Sequence, residues 1–247
     1  MKLENEIMER YSVIESKNKR EIVLLRGRGC SWRKCRFCDY HLDSSPNQED
    51  NDYCNKAQLS KVTGIYSKLE VINSGSFVDL SDNTLGLIQK ICVDRNIKEI
   101  HFECHWNHRS SVQALKERFR NLGINVKVKI GIETFDLLFR ESYLAKGIDE
   151  ADPKAIAQYF DECCLLQGIP AQTAQSMIAD IETGLKYFER VCINIMQANA
   201  TPIKPDPRVV KIFQNEVLPL YIDNDRVDIL MENTAFGVGG VTTNPVS

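Results

Sequence analysis

The stretch Cys30-Ser31-Trp32-Arg33-Lys34-Cys35-Arg36-Phe37-Cys38 gathers three cysteines directly after the apolar run Ile22-Val23-Leu24-Leu25. A structural zinc site is closed by four protein ligands, so a set of three leaves one coordination position unfilled. Cubane iron–sulfur clusters also take four cysteines as a rule, and three leave one iron free to hold something else. Spacing alone leaves three readings open: an open iron–sulfur site, a zinc site completed by Asp39, His41 or Cys54, and cysteines that hold nothing. Trp32 and Phe37 favour a cluster loop, because an apolar shell keeps water from the metal and tunes its potential. Arg26, Arg28, Arg33 and Arg36 make the loop locally basic. Those charges either face solvent or offset a negative cluster and receive a reductant.

A second concentration is Glu103-Cys104-His105-Trp106-Asn107-His108-Arg109, which holds two of the four histidines beside a tryptophan. That density is unusual for a solvated loop and reads as functional. Cys92, Cys104, Cys163, Cys164 and Cys192 lie in apolar segments and read as small core residues. Cys54 is ambiguous, and His41 reads as a surface residue.

The elements that must position these residues alternate. Residues 5 to 19 read as a leading helix, followed by a buried strand over 20 to 26 that breaks at Gly27-Arg28-Gly29. Further strands are expected over 68–73, 98–104, 126–133, 163–166, 191–196 and 227–231. Helices are expected near 55–67, 82–94, 110–121, 137–145, 153–160, 172–189 and 207–220, the last with Asp206 as cap and Pro207 at an early position. Such alternation specifies a parallel sheet with right-handed crossovers, either open and doubly wound or curved into a partial barrel. In both, ligands bind at the carboxyl ends of the strands, where the cysteine loop, Asn73 to Ser76, Glu103 to His108, Glu133 and Gln197 to Asn199 all fall.

The chain of 247 residues, 43% hydrophobic, is expected to form one domain. A formal net charge of −3 makes it a poor electrostatic match for a polyanion, so a nucleic-acid partner is not expected. The charged N-terminus is unlike a signal peptide, and no window approaches the length of a spanning apolar helix. A cytoplasmic location follows as the expectation, with thiols kept reduced and cysteines free for metal or core.

Taken in order along the chain, these features resemble the radical S-adenosylmethionine (SAM) superfamily, whose α/β partial (β/α)6 barrel, of TIM-like type, carries a three-cysteine loop after its first strand. The superfamily's usual spacing between cysteines is shorter by one residue than Cys30 to Cys35, and the aromatic before its last cysteine matches Phe37. Asn73-Ser74-Gly75-Ser76-Phe77 resembles the segment that binds the SAM amine. Gly131-Ile132-Glu133-Thr134 resembles the ending of the fourth strand, and Gly168-Ile169-Pro170-Ala171-Gln172-Thr173 resembles a turn after the fifth.

The resemblance covers roughly residues 20 to 200, with 201–247 as a C-terminal extension. It implies a 4Fe-4S cluster on Cys30, Cys35 and Cys38, and SAM against Phe37, Asn73, Ser74, Gly75, Ser76, Glu133 and Gln197. The "NSGSF" segment is similar to that of small members acting on 7-deazaguanine compounds. This implies a lyase that forms a 5'-deoxyadenosyl radical and cleaves the C–N bond of queuine to release preQ1, with an electron donor such as flavodoxin or ferredoxin. Glu103, His105, Asn107, Asn199, Asp228, Glu232 and Asn233 are candidates for binding that base by their places at strand ends. Two alternatives stand beside it: a radical SAM enzyme acting on a tRNA nucleoside, and a zinc-stabilised binding module.

Overall fold

The structure, a computed structural model, describes residues 9–231. One sheet organises them, with its eight strands in chain order: β1 (Tyr11–Ile14), β2 (Arg20–Leu25), β3 (Lys68–Asn73), β4 (Glu99–Glu103), β5 (Asn125–Glu133), β6 (Glu162–Gln167), β7 (Arg190–Ile195) and β8 (Val227–Leu230). β1 runs antiparallel to β2, and every later neighbour pair is parallel. The sheet is thus a half-barrel of α/β type whose parallel series continues past residue 200 into β8.

Helices α1 (Gln48–Leu59), α2 (Asp82–Asp94), α3 (Val112–Arg120), α4 (Pro153–Ile156), α5 (Ala174–Tyr187), α6 (Pro207–Ile212) and α7 (Leu218–Tyr221) form the crossovers. Short polar side chains start them: the Ser81 hydroxyl accepts from the Thr84 amide at 3.0 Å and the Asp206 carboxylate from the Arg208 amide at 2.9 Å, with Pro207 next, as the sequence predicts. A π-helical turn over Phe213–Val217 joins α6 to α7, and another spans Phe139–Tyr143 where a helix was expected.

The leading helix over 5–19 is not found over its described part. Residues 11–14 form an edge strand, and Asn18 takes a left-handed φ of 48° in the turn that follows. Tyr11 and Val13 have a template in β2, and pairing with that edge outweighs the helix propensity of the surrounding charged residues.

Alternation along the strands divides the sheet's two faces. Val23, Leu25, Leu69, Val71, Ile100, Phe102, Val128, Ile130, Leu165 and Ile193 pack outward against Leu85, Ile88, Leu115, Phe119, Met177 and Ile181 of the helices. The residues between them, Glu70, His101, Lys129, Glu162, Arg190 and Asp228, turn into the barrel, where they are buried yet charged. They survive there because they pair. Glu70 meets Arg20 at 2.5 Å and Lys129 at 2.6 Å, Arg190 forks onto Glu162 at 2.7 Å, and Asp228 takes Arg190 at 2.7 Å. Below the ligand-binding end the barrel is therefore plugged by an ion network instead of an apolar core.

Candidate functional site

At the carboxyl ends of the strands a cavity of about 450 Å³ opens, lined by Cys30, Cys35 and Cys38 among others. Three elements hold the cysteine loop. The Cys30 amide donates to the Ser74 carbonyl at 3.1 Å, the Arg36 amide to Leu144 at 2.9 Å, and the Ile203 amide to the Arg36 carbonyl at 3.1 Å. Cys35 and Cys38 pack on a small apolar cluster of Phe37, Leu144, Leu166, Ile169, Met196 and Ile203. This cluster screens one side of the loop from water.

All nine cysteines are free thiols. Burial raises the pKa of Cys35 and pushes that of Cys38 up to about 12, against the opposing pull of the Lys146 charge. Two thiols that are costly to ionise in the protein alone become good ligands only when a metal takes the place of the proton. Among the described residues no three His, Cys, Asp or Glu side chains converge on a point where a single ion could sit. A zinc site needs such convergence, whereas a 4Fe-4S cluster spreads its cysteines over separate irons. Cys54, on α1, is not on the cavity, and Asp39 accepts from the Ala200 amide at 3.0 Å. Three thiols on one loop at the cavity are a donor set that fits an iron–sulfur cluster with one iron left open.

Opposite the cysteines stand Asn73, Ser74 and Gly75 at the end of β3, and Glu133 at the end of β5. Glu133 has a left-handed φ of 68° where the β5–β6 register shifts, which turns its carboxylate to the cavity. There it meets the ammonium of Lys146 at 2.7 Å. Burial alone would lower the pKa of Lys146, but Glu133 and the neighbouring thiols hold it charged and above the usual lysine value. Asn73 and Asn194 line the cavity, and their side-chain oxygens are buried without a hydrogen-bond partner.

A second cavity of about 470 Å³ continues into the barrel and shares Asn73, Ser74, Glu103, Cys164 and Asn194 with the first. Glu103 lies at the junction, half-exposed, with one oxygen 3.1 Å from Lys129. Cys164 and Cys192 are buried but belong to this cavity's wall, so they do more than fill a core. Cys92 and Cys163 are core residues, as expected.

The structure thus brings together Cys30, Cys35, Phe37, Cys38, Asn73, Ser74, Gly75, Glu103, Glu133, Gln197 and Asn199 around one opening. Other expected residues are placed elsewhere or otherwise engaged. Ser76 is buried and its hydroxyl accepts from the His105 amide at 2.9 Å. His105 reaches the cavity, but both ring nitrogens are used: Nε2 donates to the Lys146 carbonyl at 2.9 Å and Nδ1 accepts from the Asn107 amide at 3.2 Å. Burial and the Lys146 charge bring its pKa down to about 4, so it is neutral. Asn107 is exposed and off the cavity, and Asp228 is saturated by Arg20, Arg190 and Asn18. Asn199 donates to the Phe37 carbonyl at 2.7 Å and braces the cysteine loop. Glu232 and Asn233 lie outside the described residues. Lys146 and Asn194 escape a sequence reading, and Trp32, expected only as part of an apolar shell, also donates to the Ala145 carbonyl at 2.8 Å. Lys146 sits in an unpatterned loop, and nothing nearby marks it except the following glycine.

A parallel half-barrel with three free cysteines after its first parallel strand, facing a cavity at the carboxyl ends of the strands, defines the radical SAM class. No family model matches the chain. An uncharacterised protein of Methanocaldococcus jannaschii is 27% identical over 141 residues, which span 51% of this chain and 38% of that protein's length. Among solved structures, two of SuiB from Streptococcus suis, the second bound to S-adenosylmethionine, share the fold at TM-scores of 0.51 and 0.54, with 13% and 14% identity, over 83% and 84% of this chain and 48% and 46% of those chains. Queuine lyase from Clostridium spiroforme, bound to SAM and queuine, is 44% identical with a TM-score of 0.88, covering 94% of this chain and 99% of that one. At that likeness over nearly its whole length, the chain belongs to the queuine lyase family.

Proposed function

We propose that the protein is a radical SAM lyase that cleaves the C–N bond of queuine and releases preQ1, the 7-deazaguanine precursor that keeps the nitrogen. The observation that carries this reading is the pair of joined cavities, one walled by three free cysteines and the other reaching Glu70, Glu103, Lys129 and Asp228 inside the barrel. Cys30, Cys35 and Cys38 would hold a 4Fe-4S cluster. With SAM bound, such a cluster would supply the reductive radical chemistry that begins with hydrogen abstraction from the substrate.

The chain's own residues do the rest. Phe37, Ser74, Gly75 and Gln197 enclose SAM beside the cysteines, while Asn73 and the Glu133–Lys146 pair offer groups of both signs to its amine, carboxylate and ribose. The apolar cluster behind Cys35 and Cys38 excludes water, which protects a reactive intermediate. In the inner cavity, which Asn73, Asn194 and Glu103 line, the two oxygens of the Glu103 carboxylate are acceptors. A deazaguanine edge with N–H donors at N1 and the 2-amino group complements them. Exposed Arg28, Arg33, Lys34 and Arg36 around the cysteine loop give a basic face to an acidic flavodoxin or ferredoxin. No helix of the described residues is long and apolar enough to cross a membrane, in keeping with a cytoplasmic partner.

The test is anaerobic reconstitution with iron and sulfide, then reduction and incubation with SAM and queuine. We expect 5'-deoxyadenosine and preQ1 to appear together, and a Cys35→Ala variant to yield neither. 5'-Deoxyadenosine without preQ1 would reject queuine as substrate, and preQ1 released only from tRNA would reject the free base.

A further inference from the structure

Most of the Glu103–Arg109 stretch, dense in histidine and tryptophan, does not serve the cavity directly. His105 and His108 instead grip the residues between Cys30 and Cys35. The His105 ring stacks on Trp32 with centroids 5.9 Å apart and planes 21° apart, and His108 Nε2 lies 2.9 Å from the Ser31 hydroxyl. On its far side Trp32 meets the turn that carries Lys146.

That turn needs outside support. Ala145 and Gly147 both have left-handed φ, at 55° and 76°. Three successive carbonyls are each taken by a donor from elsewhere: Leu144 by the Arg36 amide at 2.9 Å, Ala145 by Trp32 Nε1 at 2.8 Å, and Lys146 by His105 Nε2 at 2.9 Å. Gly147 lies so close under the Trp32 ring that a Cβ there would collide with it. The Glu141 carboxylate accepts from the Gly147 and Ile148 amides at 2.9 and 3.0 Å. Two of the three carbonyl grips come from the cysteine loop itself. What the turn delivers is the one lysine or arginine among the described residues lining the outer cavity, its ammonium 5.5 Å from the Phe37 ring centre and bonded to Glu133.

We propose that Trp32 is a positioning residue: by holding the Ala145 carbonyl and stacking on His105, it fixes the Lys146 ammonium against Cys35 and Cys38, so that the cation raises the potential of a cluster there and orders the SAM side of the cavity. The four residues between Cys30 and Cys35 gain a purpose, since they give the loop the length to carry Trp32 to this turn, with Arg33 at a φ of 52°. The inference rests on the reading of Cys30, Cys35 and Cys38 as cluster ligands. A positive charge near an iron–sulfur cluster favours its reduced, more negative form, and the effect depends on a fixed distance.

The experiment compares reconstituted wild-type protein with Lys146→Met, Lys146→Arg, Trp32→Phe and His105→Gln. It reads iron content, the reduction potential by an EPR-monitored titration, and SAM affinity from the SAM-induced change in the EPR spectrum. Trp32→Phe keeps one aromatic ring at the position and loses the Nε1–H together with the second, fused ring. Expected for Lys146→Met are a more negative potential and SAM affinity about tenfold weaker, with Lys146→Arg recovering the potential. Trp32→Phe and His105→Gln should move both readouts in the same direction by a smaller amount, at unchanged iron content. A Trp32→Phe protein with wild-type potential and SAM affinity overturns the inference. So does a Lys146→Met protein indistinguishable from wild type, and so does loss of iron in Trp32→Phe, which would make the residue a mere support of the loop. Wild-type protein that builds no cluster would sink the cluster reading itself. A cluster that binds SAM but releases no preQ1 would sink only the substrate, leaving these readouts intact.

Discussion

Gly75 shows how closely the two cavity walls approach. A Cβ there would stand 3.0 Å from the amide nitrogen of Cys30 and press on the Asp79 carboxylate, which caps the Ser76 amide at 2.7 Å. Gly75→Ala must therefore displace Cys30 or unseat the turn after β3. We expect a folded protein whose iron content after reconstitution falls at least twofold, measured by iron and sulfide analysis beside thermal unfolding. Residues of this kind were legible in sequence, because Cys30, Cys35, Cys38, Asn73 and Glu133 announce themselves by type and by place at strand ends. Lys146 was not, because its neighbourhood exists only once a turn after β5 folds back under the cysteine loop. His105 lines the cavity, as its place at a strand end suggests, but its ring hydrogen bonds were not legible. A histidine at a strand end is as ready to donate to a backbone carbonyl as to a ligand, and only the position of the Lys146 carbonyl decides between them.

Among the elements, the segment after β5 depends on one side chain. Arg140 is fully buried and donates to the carbonyls of Thr134 at 3.3 Å, Ile148 at 2.9 Å and Glu150 at 2.5 Å. The segment from 134 to 150 thereby becomes a closed loop around a single guanidinium. Lysine cannot reproduce that fork, so Arg140→Lys should lower stability by about 2–4 kcal/mol, the cost of leaving two or more buried carbonyls unpaired. Urea unfolding would measure it, and a change below about 1 kcal/mol would mean that water replaces the lost donors. The strands read cleanly from the sequence because outward Val, Ile, Leu and Phe alternate with inward residues, whereas the crossovers do so less well: the helix expected near 55–67 is Gln48–Leu59, and that near 153–160 is Pro153–Ile156. The misread N-terminal strand shows the limit. Tyr11-Ser12-Val13-Ile14 is too short for its own period to outweigh the charged flanks, and its conformation is set by a neighbour's free edge.

Across the whole molecule, the charged barrel interior ties stability to acidity. Burial opposes ionisation of Glu162, but the Arg190 guanidinium and the hydrogen bond to His101 bring its pKa down to about 2, below its ordinary value of 4.5. Around it stand His101 on β4, which Glu99 also contacts, and Arg190 on β7, which Asp228 shares. A depressed carboxylate contributes stability that is present above pH about 4.5 and is lost as the pH falls toward 2, here roughly 3 kcal/mol. The slope of unfolding free energy against pH in that window should be shallower in Glu162→Gln by up to one proton, as read from urea unfolding at stepped pH. Equal slopes would mean that Glu162 is already protonated in the fold.

The same network has a consequence for the order of events during synthesis. Its two flanks come from distant parts of the chain: Arg20 and Asn18 reach Asp228 at 3.2 and 2.7 Å, and Lys17 donates to the Asn224 and Val227 carbonyls at 2.9 and 3.3 Å. The seam between the first parallel strand and the last is closed by these side chains, since no strand pairing joins β8 to β2. On the ribosome, Arg20 and Arg190 are made long before Asp228 and must wait for it. A nascent chain halted before β8 holds two buried guanidiniums short of one shared carboxylate, so the inner cavity takes its final shape only after β8 has left the exit tunnel.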